Sequence, residues 1–417
     1  MKIRMLGSGR EVGRSAIYVK AANERLLLDY GVKISNDPTE YPIEPGAVDG
    51  VLLSHAHLDH CGLLPYLYRS GYQGSVYATR PSFDLAKILI EDSIKLFRIK
   101  KQAPKYGNND YGKMQSKEIH VELGEEFRVK KAAVRVYDAG HIPGSSSFLI
   151  EDGKTLLYSG DVMTRDMRLV SGAKPKYPRV DCLIVESTYG DREHRPRDSE
   201  EKNFVERIKE TLDNRGTVML PTFAIGRAQE VLLILDRWLK WKYPIYMDGM
   251  AVRASEAILK HPDYVRDFGV LDKAFSLTRA IRDHKARKRV MEQPSIVITT
   301  SGQLEGGPIV EYMKHFYNRD DCSVFLTGFQ IPGNAGRTLL DTGFYKADNL
   351  ELPVKCAVEA FDFSSHAGRS DLIEYIRKVN PEKVIVNHGD KCQLFANDLG
   401  LMGFKAFAPD NGDVVEV

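Results

Sequence analysis

The chain has five cysteines but no CxxC pair. Cys61, Cys182, Cys322, Cys356 and Cys392 stand singly, which excludes a thiolate zinc site by spacing and argues against a disulfide framework. A reduced, cytoplasmic protein is the expectation. No run of about 18 apolar residues occurs, and the opening "MKIRMLGSGREVG" lacks the apolar stretch of a signal peptide. No membrane partner is expected. Net charge is nearly absent as well. With 59 basic and 57 acidic residues the balance is +2, so a polyanion must be met by local patches and not by an overall field. Low-complexity tracts and short-period repeats are missing too. What is there is an ordinary globular composition over 417 residues, more than one core usually serves, so two domains are expected.

The first 190 residues read as short strands and turns around a few helices. "KIRML", "SAIYVK" and "RLLLDYG" are strand-like. Gly7, Gly9 and Gly13 in "GSGREVG" precede a strand pattern, so they read as turn glycines and not as a dinucleotide loop. Helices are expected from about Leu58 to Arg69 and from Pro81 to about Lys101. From about 191 to 360, apolar strands alternate with amphipathic helices ("GTVMLPTF" then "GRAQEVLLILDRWL"; "PSIVITTSG" then "VEYMKHF"), the pattern of a mostly parallel, helix-covered sheet. Residues 361–417 return to the earlier style. Whether this tail rejoins the first domain is the main question of organisation.

Of eleven histidines, His120, His194, His261, His284 and His315 lie in polar or helical surroundings and read as surface or packing residues. The other six follow apolar strands: His55, His57 and His60 in "SHAHLDHCG", His141 in "DAGHIPGS", His366 in "FDFSSHAG" and His388 in "KVIVNHG". Asp161 and Glu186 end strands in the same way. Loops at strand ends are where rigid elements bring ligands together. Imidazole and carboxylate donors without thiolate suit zinc and leave manganese or iron open. His55 with His57 can grip one ion and Asp59 with His60 a second. With Asp161 shared, this suggests two ions roughly 3.5–4 Å apart. Such a pair serves phosphodiester, ester or lactam hydrolysis alike.

These residues resemble the metallo-β-lactamase superfamily. "HAHLDH" matches its HxHxDH motif, and Asp29, His141 and Asp161 match its other first-domain motifs in order. The fold implied is α/β: an αββα sandwich with an inserted, mostly parallel α/β domain. That insertion is similar to the β-CASP group, which processes nucleic acids. Glu186 matches motif A, His366 motif B and His388 motif C, where a histidine favours the RNA branch over the DNA branch. The domains implied are 1–190 and 361–417 for the metallo-β-lactamase part and 191–360 for the β-CASP part. Ser365, where RNase J usually has glycine, places the chain nearer the cleavage-and-polyadenylation-specificity-factor-like nucleases, here expected without the KH domains of longer archaeal relatives.

The resemblance implies two Zn2+ per chain. One would be held by His55, His57 and His141 and the other by Asp59, His60 and His388, with Asp161 bridging. Asp59 would also orient the attacking hydroxide, and Asp29 would fix a histidine ligand from behind. Glu186 and His366 would be the proton-donating pair, although His366 could instead only contact the phosphate. The function implied is a zinc-dependent ribonuclease cutting RNA in a cleft between the domains, endonucleolytically in RNA processing or 3′-end formation. A 5′-to-3′ exoribonuclease is the alternative, and a small-molecule hydrolase of glyoxalase or lactonase type a remote one. RNA contacts are expected at Ser301 and Gly302 in "TTSGQLEGGP" and at Gly333 and Arg337 in "GFQIPGNAGR", although ordinary turns look the same. The run 279–290 reads as a solvated helix face able to guide RNA non-specifically. A homodimer and a place in an RNA-processing or degradation complex are family-level expectations.

Overall fold

The computed structural model describes all residues except 34–37, 100–103, 175, 240 and 348. The expected helix end at Lys101 lies outside the described residues. The chain divides into two compact units. The first comprises residues 1–166, 171–193 and 366–417, and the second 167–170 and 194–365. Among the described residues, no helix is long and apolar enough to cross a membrane.

The first unit is built on two seven-stranded sheets. Alternating residues bury one face of each: Ile3, Met5, Ile17, Val19, Leu26 and Leu28 come from one sheet, and Val134, Val136, Phe148, Ile150, Leu156 and Ile184 from the other. The outer face of the second sheet buries Leu149, Leu157, Leu183 and Val185 against the helices Arg369–Val379 and Cys392–Leu401. This is the αββα layering the resemblance implies. The tail does rejoin it. Strand Lys383–Asn387 pairs in parallel with Cys182–Glu186, Asn387 opposite Glu186, and Val414–Glu416 pairs antiparallel with Lys2–Arg4. That register carries His388 to the same sheet edge as Glu186.

The second unit has a six-stranded sheet in which every pairing is parallel, in the spatial order Arg279–Ile281, Ile245–Asp248, Ile296–Thr299, Val218–Pro221, Ser323–Leu326, Ala357–Ala360. Its four central strands are buried on both faces, as helix-covered parallel strands must be, while the edge strands Arg279–Ile281 and Ala357–Ala360 are partly exposed. The short excursion 167–170 is bound within this unit, because the Glu230 carboxylate accepts from the amides of Arg168 (2.9 Å) and Leu169 (2.7 Å).

Two sequence expectations change. The helix expected over 58–69 is two pieces, Leu58–Cys61 and Leu64–Arg69. Pro65 has no amide to give the Cys61 carbonyl, as a continuous helix needs, and Tyr66 N turns to Leu63 O (3.0 Å), leaving the Gly62 carbonyl to accept from the Tyr106 hydroxyl at 2.6 Å. The run 279–290 is not one helix: Arg279–Ile281 is an edge strand, and the helix His284–Val290 starts after Asp283, whose side chain accepts from the Ala286 amide.

Candidate metal centre

The segment carrying "HAHLDH" is held by backbone before any side chain acts. Tyr30 N donates to His60 O (2.8 Å), Val32 N to Leu58 O (3.0 Å) and Ser15 N to Asp59 O (2.7 Å). Gly31 permits this approach, since a Cβ there would lie 1.7 Å from Asp59 O. Asp29 and His388 have φ of 58° and 48°, left-handed conformations uncommon for such residues and frequent at functional sites.

Three groups of donors adjoin one another in the first unit. His55, His57, His141 and Asp161 form one, Asp59, His60 and His388 the next, and Asp161, Glu186 and His366 the third. In the first, His57 Nδ1 lies 3.1 Å from His55 Nε2 and 3.2 Å from His141 Nε2, while His55 Nε2 is 3.5 Å from Asp161 Oδ2. Those separations are close to the edge of a tetrahedron with metal–nitrogen bonds of about 2.0–2.1 Å. In the second, His388 Nε2 is 3.3 Å and His60 Nε2 4.0 Å from Asp59 Oδ2. His60 Nε2 is also 3.3 Å from Asp161 Oδ2, so this carboxylate borders both groups.

Asp29 stands behind His60. Its Oδ2 accepts from His60 Nδ1 (2.7 Å), the Tyr158 hydroxyl (2.6 Å) and the Ser54 hydroxyl (2.6 Å), and its Oδ1 accepts from the Ser54 amide (2.7 Å). A proton fixed on Nδ1 aims the Nε2 lone pair into the cluster. Both His60 Nε2 and Asp161 Oδ1 are buried without a hydrogen-bond partner. Buried polar atoms are rarely left so unless an ion or water completes them. The donor set and these orphaned atoms fit a metal.

Electrostatics agree with that fit in the first donor group. Burial pushes His55 well below the usual imidazole range. It also pushes His57 down to about 4 despite the opposing pull of Asp59 and Asp161, so both rings are neutral. Burial favours the protonated form of Asp161, but the facing imidazoles of His60, His388 and His55 outweigh it and hold the carboxyl well below its usual range. Neutral imidazole and charged carboxylate are the forms that bind metal. His60 and His388 go the other way: burial lowers their proton affinity, but Asp161, joined by Asp29 at His60 and by Asp59 at His388, outweighs it and raises both. His366 is raised as well. Burial lowers its proton affinity, yet Glu186, 2.9 Å away and hydrogen-bonded to Nδ1, outweighs burial and raises it to about 9.

The structure therefore gathers His55, His57, Asp59, His60, His141, Asp161, Glu186, His366 and His388, with Asp29 in contact. Ser301, Gly302, Gly333 and Arg337 belong to the second unit. There the Ser301 hydroxyl donates to Glu305 O, the Gly302 carbonyl accepts from Gln330, Gly333 turns at φ 89°, and Arg337 pairs with Asp341 one helical turn on. Ser54, Tyr158 and Thr188 (whose hydroxyl is 3.3 Å from His388 Nδ1) escaped sequence reasoning. Ser54 directly precedes the motif and could have been suspected. Tyr158, 129 residues from Asp29, gave no signal.

Comparison with known proteins adds independent findings. A family model described as "Beta-Casp domain" matches residues 228–339, one described as "Zn-dependent metallo-hydrolase RNA specificity domain" matches 351–409, and one described as "Anti-Pycsar protein Apyc1" matches 1–186. The chain is 38% identical to a Methanocaldococcus jannaschii protein named "Probable RNase MJ4", over the full length of both. It is 33% identical to "RNase aCSPSF2" of Saccharolobus solfataricus, covering all of this chain and 85% of that one. The match to "Transcription termination factor FttA" of M. jannaschii is 32%, covering all of this chain and 72% of that one. A crystal structure of a protein of unknown function from Enterococcus faecalis V583 superposes with a TM-score of 0.59 at 13% identity, over 100% of this chain and 99% of that one. That likeness concerns the fold alone.

Proposed function

The chain belongs to the β-CASP family of metallo-β-lactamase-fold RNA nucleases, which are metal-dependent ribonucleases, and from that premise we propose that it binds two zinc ions and cuts RNA internally, in RNA processing or 3′-end formation. The observation that carries this reading is Asp161 standing between two donor groups with the Glu186–His366 pair alongside. When bound, two such ions activate water and neutralise charge on the attacking and leaving oxygens of an in-line displacement.

The chain's own residues supply the rest. Asp29 fixes the tautomer and tilt of His60. Glu186 takes the Nδ1 proton of His366 as a hydrogen bond, and it is itself held by the amides of Val162 (2.9 Å) and Thr188 (3.1 Å). His366 Nε2 is then the end that hands a proton to the departing 3′-oxygen. Water adds to phosphorus, the P–O3′ bond breaks, and the products are a 5′-phosphate and a 3′-hydroxyl. A relative named for ending transcription supports a cut within a transcript over stepwise removal from its end. The five cysteines, all buried free thiols, support a reducing, cytoplasmic setting. A homodimer or a larger RNA-processing complex completes the proposal.

RNA labelled at either end and carrying a 5′-triphosphate or a 5′-monophosphate tests the mode of cutting. Internal fragments that ignore the 5′ group are expected. Mononucleotides released only from monophosphorylated RNA would replace this reading with 5′-to-3′ exonuclease action. In either case Asp161→Ala must be inactive.

A further inference from the structure

The loop after strand Cys182–Glu186 serves the centre more than once. Glu186 holds His366, Ser187 N donates to His388 O (3.3 Å), and the Thr188 hydroxyl sits against His388 Nδ1. Metal and proton chemistry then leave Tyr189 and Arg192 unused. Tyr189 is buried, with its ring centroid 6.1 Å from that of His366. The Arg192 guanidinium lies over that ring, Cζ 4.8 Å from its centroid, and its side chain is 45% exposed. The loop carrying it is clamped. Arg192 N donates to Tyr189 O (3.3 Å), and Arg369 donates through its amide to Arg192 O (3.0 Å) and through its guanidinium to Gly190 O (3.0 Å). Arg369 is in turn anchored by Asp398 at 2.9 Å.

We infer that Arg192 binds the RNA phosphodiester next to the scissile one, with Tyr189 holding its guanidinium in place. This rests on the ribonuclease reading above. A guanidinium over an aromatic face is held by cation–π attraction, and its N–H groups remain able to make bidentate contact with phosphate oxygens. The two distances laid end to end are the farthest its Cζ can lie from the His366 ring, a span that reaches the phosphate next to the one His366 serves. Asp191 pairs with Arg192 Nε at 3.4 Å, longer than the roughly 2.7–2.9 Å of a charge-assisted hydrogen bond, so phosphate oxygens can compete for that edge.

Initial rates on a labelled single-stranded RNA, taken with the zinc-loaded full chain over a range of salt, test this. Arg192→Gln should raise KM about tenfold with kcat within twofold. The slope of log KM against log salt should fall by about 0.7, the value for one phosphate contact on a single strand. Arg192→Lys, which keeps the charge and loses the fork, should keep the slope and recover part of the KM. Asp191→Asn, which removes the competing carboxylate, should lower KM several-fold. An unchanged slope in Arg192→Gln overturns the assignment. If that variant loses zinc or melts early, an unchanged KM in Asp191→Asn overturns it instead. Wild-type chain that leaves RNA uncut would strike the ribonuclease reading itself, a separate result.

Discussion

His366 and Glu118 are both titratable groups whose buried surroundings move them, and they move for different reasons. At His366 a specific partner wins: burial alone would strip the proton, but the Glu186 carboxylate at 2.9 Å retains it to about pH 9. A ring that carries a proton at neutral pH can donate it, so His366→Ala should lower kcat by roughly 100-fold or more, the usual size of a general-acid contribution. Zinc content measured by atomic absorption should stay the same. Loss of metal in that variant would make His366 a ligand and refute the donor role. At Glu118 burial is the larger cause and the charge of Asp84 adds to it, with Lys87 opposing, so the carboxyl is raised to about 7. The folded state therefore binds this proton more tightly than the unfolded chain does. The group costs nothing below about pH 4.5, and stability falls as pH rises from there to about 7 and stays reduced above it. Because the group is partly solvated, the cost is about 1 kcal/mol. Urea melts should show Glu118→Gln more stable than wild type at pH 8 and equal to it at pH 4. A difference of the same size at both pH values would contradict the sign.

At the scale of elements, the centre depends on the turn 29–32 sliding under the short helix Leu58–Cys61. Gly31→Ala places a Cβ 1.7 Å from Asp59 O and 2.5 Å from His60 N, with backbone on both sides. The helix has to shift, taking Asp59 and His60 with it. A destabilisation of about 3 kcal/mol is expected, along with less bound zinc than the wild-type chain holds. Gly107→Ala, whose Cβ meets nothing within 4 Å, is the control. Full zinc occupancy and an unchanged urea midpoint in Gly31→Ala would show that the turn is not what sets the helix. The same element explains what could be read beforehand. "GVLLSHAHLDH" announces itself because strand, turn and ligands are contiguous. The break at Pro65 could have been read from proline chemistry, and the strand at 279–281 could not. Three residues form a strand there only because Tyr246, Met247 and Asp248 lie alongside as partners. The placement of His388 was legible as a residue type at a strand end, but its position against Glu186 rests on a register between strands about 200 residues apart, which local pattern does not contain.

For the whole molecule, the decisive property is that metal belongs to one unit and both tryptophans to the other. All nine donor-group residues lie in the first unit, and each unit has its own buried clusters. Trp238 and Trp241 are the chain's two tryptophans and both lie in the second unit. Their indole nitrogens donate to Glu201 (2.9 Å) and Asp236 (2.5 Å), so their emission reports on that unit's fold. Metal bound only by folded protein stabilises whatever unit holds it, by about 2.7 kcal/mol when free metal is a hundredfold above its dissociation constant. Stripping zinc with a chelator should therefore lower the melting temperature of the first unit by roughly 5 to 10 °C for each ion lost. Calorimetry should show that transition move while the tryptophan-monitored transition stays in place, since two units with separate cores need not unfold as one. If tryptophan emission shifts by the same amount as the calorimetric transition, the units unfold as a single cooperative body, and the metal's stabilisation extends to residues that never touch it.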